Sequence, residues 1–435
     1  MRSAHEAAVL RRFFAPPSLR PASIMSQSSN GSFPSATTAD VVIVGGAAMG
    51  SSVAFHLLSD PGFAGRVVVI EKDPTYARSA SALSAASIRQ QYSSPVNVRI
   101  SLYGIAFLRN IGSHLSVDEE RPVIDLTEGG YLYLASTQEG AETLARNHAV
   151  QQAEGADIVL FDPAGLREKF PWLATDDLLA GAWGRSGEGW FDGWALLQAF
   201  RKKARALGAE YRTGEVARLE RQGNRVVAVH LTDGSRIDCG TVVNCAGSDG
   251  RRIAATAGVD IPVYPKKRYV FSFTCKGPVD NCPLMIDTSG AYVRPEGHRG
   301  AEGQMFICGI SPEADADPDW DDNPEAVDWS LFEQTIWPAL ATRVPAFEQI
   351  RPGRAWSGPY DMNLLDHNAI VGRAGEVENL FLANGFSGHG LQQSPAVGRG
   401  IAEEIVHGRF VTLDLSDLGY TRVLAQRPLR EANII

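Results

Sequence analysis

Val41, Val42, Ile43 and Val44 form a short apolar run that stops abruptly at Gly45 and Gly46. No polar residue alternates through it, so it predicts a strand buried on both faces, as in a parallel sheet. Val53, Ala54, Leu57 and Leu58 then recur at helical spacing, Pro61 and Gly62 break the pattern, and Arg66 to Ile70 supplies a second apolar strand. Strand, glycine turn, helix and strand make a βαβ unit, which places the chain in the α/β class. Gly45, Gly46, Ala47, Ala48, Met49 and Gly50 open the helix, so their amides and the positive helix end can converge on a pyrophosphate. Glu71, beside Lys72, closes the second strand where an acid accepts hydrogen bonds from an adenosine ribose. One departure stands out. The middle glycine of the turn is Ala47, whose methyl group is expected to crowd a close pyrophosphate approach.

With 435 residues, 44% of them hydrophobic, the chain is long enough for two interlocked domains. Its 41 Lys and Arg against 50 Asp and Glu leave no general basic field, which excludes nucleic acid as an expected partner. No apolar run approaches the roughly 18 uninterrupted residues of a membrane span, so a soluble protein is expected. The five cysteines are an odd number without a C-x-x-C pair, which predicts a reducing compartment, no disulfide framework and no metal site. Cys239, Cys245 and Cys308 lie among apolar residues and read as small core fillers.

Residues 1–38 carry Arg2, Arg11, Arg12 and Arg20 against Glu6 alone and show no periodicity. They read as a tail, either a transit peptide to the mitochondrial matrix or the product of a start assigned upstream of Met25 in a cytoplasmic protein. Trp194 to Leu207 is expected as a helix, and Ala217 to Cys245 as strands broken at Gly223-Asn224 and Asp233-Gly234. The acids from Glu313 to Asp328 open like a calcium loop at Asp315, Asp317 and Asp319. Trp320 and Ala326 spoil its glycine and glutamate positions, which leaves a solvated acidic loop. Lys266, Lys267, Arg268 and Lys276 read as a solvated basic face.

A second strand, Leu380 to Asn384, feeds Gly385-Phe386-Ser387-Gly388-His389-Gly390 and then a helix marked by Val397, Ile401, Ile405 and Val406. No acidic strand follows, so this helix start can face a ring that becomes anionic, such as a reduced flavin. At this point the residues resemble the FAD-dependent oxidoreductases of the D-amino-acid oxidase, glycine oxidase and sarcosine oxidase type. The resemblance covers Asp40 to about Gly408. Both glycine turns with Glu71, Val242 to Gly247, Tyr292 with Arg294 to Gly297, and Trp356-Ser357-Gly358 carry it. Ile88 to Tyr92, Gly189 to Asp192 and Leu391-Gln392-Gln393 are most similar to a branch linked to respiratory complex I assembly and its bacterial relatives.

The resemblance implies a Rossmann-like FAD-binding domain with an interleaved antiparallel-sheet substrate domain. The first spans 39–120, 188–258 and 354–435, the second 121–187 and 259–353. FAD contacts are implied at Gly45, Gly46, Ala47, Met49, Gly50, Glu71, Lys72, Val216, Ala246, Gly247, Gly385, Ser387, Gly388, His389, Gly390, Leu391 and Gln392. Arg89 is implied to grip a substrate carboxylate over the flavin, with Tyr292 and Arg294 lining the cavity and His389 a candidate for proton transfer. Gln392 stands where sarcosine oxidases carry a lysine. Some relatives attach their flavin through a cysteine in the loop matching His298 to Gln304, others through a histidine near Ser81 to Ser87; the first segment has no cysteine and the second no histidine, so non-covalent FAD is expected. The activity implied is hydride transfer from the carbon beside an amine or amino-acid nitrogen to flavin N5. Electrons would pass on to O2, an electron-transfer flavoprotein or a quinone. The alternative is a flavoprotein that acts as an assembly or interaction factor with little turnover.

Overall fold

The computed structural model describes residues 38–313 and 315–432. The tail expected over 1–38 lies outside them, except for Thr38, which already belongs to the first strand. That strand, Thr38–Val44, runs parallel to Val67–Glu71 on one side and to Arg236–Asn244 on the other. Its alternation is hidden in the sequence because both faces are apolar. Val41 and Ile43 join one core with Val67 and Val69, while Val42 and Val44 join another with Val68 and Ile70.

The first sheet has the order Ile370–Ala374, Val377–Asn384, Arg236–Asn244, Thr38–Val44, Val67–Glu71, Glu210–Thr213. Val216–Gln222 and Arg225–Leu231 hang from Arg236–Asn244 as an antiparallel meander, with turns where the glycine pairs predict them. The helix expected from Trp194 is present as Gly193–Ala206.

A second sheet has the order Ile350–Asn363, Val263–Cys275, Gly303–Gly309, Tyr292–Gly300, Leu284–Ile286, Tyr131–Ala135, Ala180–Gly184, Ile158–Phe161. It is antiparallel except where Leu284–Ile286 meets Tyr131–Ala135. The fold is therefore the expected mixed α/β one. Ile350–Asn363 passes straight through the boundary expected at 354, because its ladder with Val263–Cys275 continues to the pair Val263 and Asn363. The chain re-enters the first sheet only at Ile370.

Two helices bring the glycine turns together. Ala48–Ser59 packs on Gly390–His407 at a contact of small residues, where a Cβ on Gly398 would come within 2.2 Å of Ser52 Oγ. Ser52 Oγ–H donates to Ser394 O at 2.7 Å. Both helices start at the carboxyl ends of strands in the first sheet, the place where open α/β sheets form a ligand crevice.

The acidic and basic clusters are not two solvated faces, because they meet each other. Lys266 pairs with Asp319 at 2.8 Å, Lys267 with Asp321 at 2.8 Å and Arg268 with Asp317 at 2.5 Å. Backbone bonds from Lys267 N–H to Pro318 O and from Trp320 N–H to Pro265 O fasten the loop. Lys267 and Arg268 are buried beneath it. Among the described residues all five cysteines are free, no group of side chains could hold a metal ion, and no helix is long and apolar enough to cross a membrane.

Candidate active site

A cleft of about 850 Å³ opens at the carboxyl ends of the first sheet, within the size range of cofactor sites. Gly45, Ala47, Met49, Glu71, Lys72, Val216, Ala246 and Gly247 line one end, and Gly388, Gly390 and Leu391 line the other.

At the first turn Gly45 has φ +95° and lies so close to the Ala246 turn that a Cβ would stand 2.4 Å from Cys245 O. Gly50 is packed on the same turn, where a Cβ would meet Gly45 O at 1.9 Å. Gly46 does not line the cleft, because its N–H donates to Glu71 Oε2 at 2.8 Å. Asp73 N–H takes the other carboxylate oxygen at 2.9 Å. Burial raises the Glu71 pKa against these two amides. Lys72 faces the cleft already paired with Asp249 at 2.6 Å. Ala47 adopts φ −68° and ψ −163°, a conformation open to any L-residue, so the missing glycine costs the turn no backbone strain.

The second turn is fastened by the other sheet. Asp361 Oδ2 accepts from Gly385 N–H at 2.8 Å and Phe386 N–H at 3.1 Å, and Ser387 Oγ accepts from Asn363 N–H at 3.0 Å. Gly385 and Ser387, expected on the cofactor, are thus committed to holding the loop. Asp361 itself lines the cleft, and burial pushes its carboxyl up to about 6. Gly388, Gly390 and Leu391 remain at the cleft wall, where the first-turn N–H groups of the helix lack intrahelical partners.

Arg89 is buried beside this end of the cleft, against His389 of the second turn. It is 3% exposed, and its guanidinium stands 4.7 Å from the Tyr92 ring centre and 5.8 Å from that of Tyr133. Its Nη2–H donates to His389 Nε2 at 2.9 Å. Arginine has no acceptor, so Nε2 contributes its lone pair and the imidazole proton sits on Nδ1. Burial, and then the Arg89 charge, hold the His389 pKa well below its usual value, in keeping with a neutral ring. Tyr131 stacks on Tyr133 with centroids 6.2 Å apart and shares a 2.8 Å bond with Ser87 Oγ. Burial raises the phenol pKa of Tyr92, Tyr131, Tyr133, Tyr292 and Tyr360, so this wall is uncharged at neutral pH.

Three expected site residues have other duties here. Gln392 is 4% exposed and accepts Arg89 N–H at 2.9 Å while donating to the Tyr92 hydroxyl, so it braces the arginine rather than reaching a cofactor or ligand. Arg294 donates to Ala85 O at 2.6 Å and pairs with Glu296, which makes it a tie between segments. Tyr292 folds its ring over Gly309, where a Cβ would meet its hydroxyl at 2.7 Å.

Sequence reasoning missed Asp361, Glu188, Glu431 and the tyrosine wall. The period-2 spacing of Tyr131 and Tyr133 was a legible sign that both rings share one sheet face. Glu431 accepts from Ser93 N–H at 2.6 Å and from Asn97 Nδ2 at 2.7 Å, which ties the chain's end to the segment after Tyr92.

A crevice whose first-turn helix ends, acceptor-only Glu71 and second helix start suit pyrophosphate, ribose and a reducible ring defines a dinucleotide-binding flavoprotein. The chain belongs to the family described as FAD dependent oxidoreductase (DAO), which matches residues 40–404. FAD is its cofactor. It is 43% identical to FAD-dependent oxidoreductase domain-containing protein 1 of Xenopus laevis, over 91% of this chain and 85% of that one. It is 28% identical to the mitochondrial sarcosine dehydrogenase of Mus musculus, over 89% of this chain and 42% of that longer one. Among solved structures, the L-proline dehydrogenase of P. horikoshii superposes with a TM-score of 0.77 at 25% identity, covering 90% of this chain and 99% of that one.

Proposed function

We propose that this oxidoreductase oxidises the carbon–nitrogen bond of a small amine that carries a carboxylate, an amino acid or an N-alkylated amino acid. The observation that carries the reading is Arg89. It is a buried guanidinium with no carboxylate within ion-pair distance among the described residues, and its Nε lacks a hydrogen-bond partner. A buried cation with no carboxylate in contact, only Glu188 and Glu431 at a distance, is costly, and an anionic ligand in contact would lower that cost. The names of the sarcosine and proline dehydrogenases support the same substrate class.

Bound FAD supplies a hydride acceptor. Arg89 would take the substrate carboxylate in a charge-assisted fork, with Gln392 fixing its backbone. The tyrosine wall would exclude water and present no competing charge. Neutral His389 can accept a proton bond from Arg89 or from a substrate, but in this state it carries no second charge to hold the carboxylate. The five unpaired cysteines fit a reducing compartment, cytoplasm or mitochondrial matrix.

Anaerobic mixing of the FAD-loaded protein with a panel of amino acids, N-methyl amino acids and amines lacking a carboxylate tests the reading. Bleaching of the flavin confined to carboxylate-bearing amines is expected. Tight FAD that none of them reduces, together with a stable partner complex, would favour the assembly role instead.

A further inference from the structure

Glu188 is 0% exposed and has no cationic partner in contact among the described residues, yet its carboxylate is fully engaged. Oε1 accepts from Gln90 N–H at 2.5 Å and Gln91 N–H at 3.1 Å, and Oε2 accepts from Gln91 Nε2 at 2.9 Å. These are the two residues that follow Arg89. Glu188 also leads directly into Gly189–Trp190, the short strand that pairs antiparallel with Ser87–Ile88, the two residues that precede Arg89. One side chain and the strand beside it therefore bracket Arg89 on both sides. The carboxylate packs directly on Gly184, where a Cβ would come within 1.7 Å of Oε2.

Consecutive amides at Gln90 and Gln91 point at one oxygen only if the backbone bends locally, and an anion is the acceptor best suited to hold such a pair. On the other side of the segment, Gln392 Oε1 holds the Arg89 amide. The three backbone N–H groups of residues 89–91 are thus all committed, and the arginine side chain is left as the part free to meet a ligand. From this geometry we infer that Glu188 is a positioning residue, whose carboxylate shapes the 89–91 segment so that the Arg89 guanidinium is presented to a carboxylate ligand. The inference rests on the reading of Arg89 given above. It adds a residue, acting through another, that no motif marks. Burial also pushes the Glu188 carboxyl up to about 7, as expected for an acid whose charge is offset by dipoles and a distant arginine rather than by a contacting cation.

The test uses the FAD-loaded full chain and two aromatic probes of nearly the same shape, benzoate and benzamide, titrated by perturbation of the flavin absorbance. A change that merely loosens the packing around Arg89 should weaken both probes alike, whereas misplacing Arg89 should weaken only the anion. Glu188→Gln, which keeps the size but weakens the acceptors, is expected to bind benzoate roughly 10-fold more weakly, the scale of one charge-assisted bond. Its benzamide affinity and FAD content should match those of the wild type. Glu188→Asp, which withdraws the carboxylate by one methylene, should lie between and serves if Glu188→Gln fails to fold. Arg89→Ala separates the two levels. Loss of benzoate in Arg89→Ala with wild-type benzoate binding in the Glu188 variants overturns the positioning role alone. Unchanged benzoate binding in Arg89→Ala overturns the reading of Arg89, and the positioning role with it.

Discussion

The two glycine turns lie side by side and open packed helices, but they are held in different ways. The Gly45–Gly50 turn is closed by its own βαβ unit, with Gly45 N–H on Ile70 O at 2.8 Å, Gly46 N–H on Glu71, and Ser51 Oγ–H on Gly46 O at 2.6 Å. The Gly385–Gly390 turn is closed by Tyr360, Asp361 and Asn363, which belong to the other sheet. The hydrogen bonds of the first turn are therefore encoded locally, although it packs on the Ala246 turn, whereas those of the second turn exist only once the two sheets have met. Substitutions in the second sheet should reach the flavin end without touching it, and those in the first turn should act in place.

Gly50→Ala should have the largest effect. Its Cβ would stand 1.9 Å from a backbone oxygen that cannot swing aside, so the turn has to open. Overpacking of this kind costs about 1–3 kcal/mol or more, and the variant is expected to lose FAD or to fail to fold. Gly388→Ala meets the Tyr360 ring at 2.5 Å and carries φ +95°, yet a ring can move. It should keep FAD with a shifted flavin spectrum. FAD retention on gel filtration and flavin absorbance separate the two outcomes. If Gly50→Ala holds FAD normally, the local account of the first turn is wrong.

Acceptor removal comes next. Asp361→Ala leaves Gly385 and Phe386 N–H unpaired beside the cleft, at about 1–3 kcal/mol for each donor that water does not reach. Glu71→Ala frees Gly46 and Asp73 N–H at a more open position and removes the ribose acceptor. Urea unfolding of the FAD-free proteins should show the larger loss for Asp361→Ala, and FAD titration the larger loss of affinity for Glu71→Ala. The reverse pattern would contradict the division between a locally built and a jointly built turn.

Asp361 also gives the comparison a pH signature. Its folded pKa is raised to about 6 by burial, so the folded state holds this proton more tightly than the unfolded chain. The stabilising contribution is fully present below the ordinary Asp pKa of about 3.9 and fades as pH rises through about 6. Wild type should therefore lose stability relative to Asp361→Asn between pH 4.5 and 7.5, measured by urea unfolding at both pH values. A flat difference would mean that the carboxyl is not buried as described.

What was legible in the sequence follows the same division. The βαβ unit, the meander and the Gly193–Ala206 helix depend on period and local turn chemistry, and they were readable. The acidic loop and the Lys266 to Arg268 triplet were each visible, but their pairing was not, because it joins residues about fifty positions apart, as in Arg268 with Asp317. Gln392 looked like a lost charge. Its partners Arg89 and Tyr92 lie 303 and 300 residues away, and only the folded chain shows that its amide is spent on them. Glu188 gave no signal, since an isolated acid before Gly189–Trp190 looks like any surface carboxylate until its donors are known. Arg89 was singled out through resemblance rather than spacing, and only the folded chain shows that it is buried with no carboxylate in contact among the described residues.

The smallest effect is expected at Ala47, where sequence reasoning had anticipated a crowded pyrophosphate. In its extended conformation Ala47 packs partly against the first core while lining the cleft, so its methyl group has a place to go. Ala47→Gly should then bring no gain in cofactor affinity from relieved crowding. Its main consequence should be entropic, because glycine adds freedom to the unfolded chain and costs about 0.4–1 kcal/mol of stability. FAD titration of Ala47→Gly is expected to lie within roughly 3-fold of wild type, less than about 0.7 kcal/mol, with a slightly lower unfolding midpoint. A tenfold tighter complex would show that the methyl group does press on the phosphates. The first turn would then be a compromised site that depends on the Gly390 end to hold its cofactor, and the contrast between the two turns would have to be redrawn.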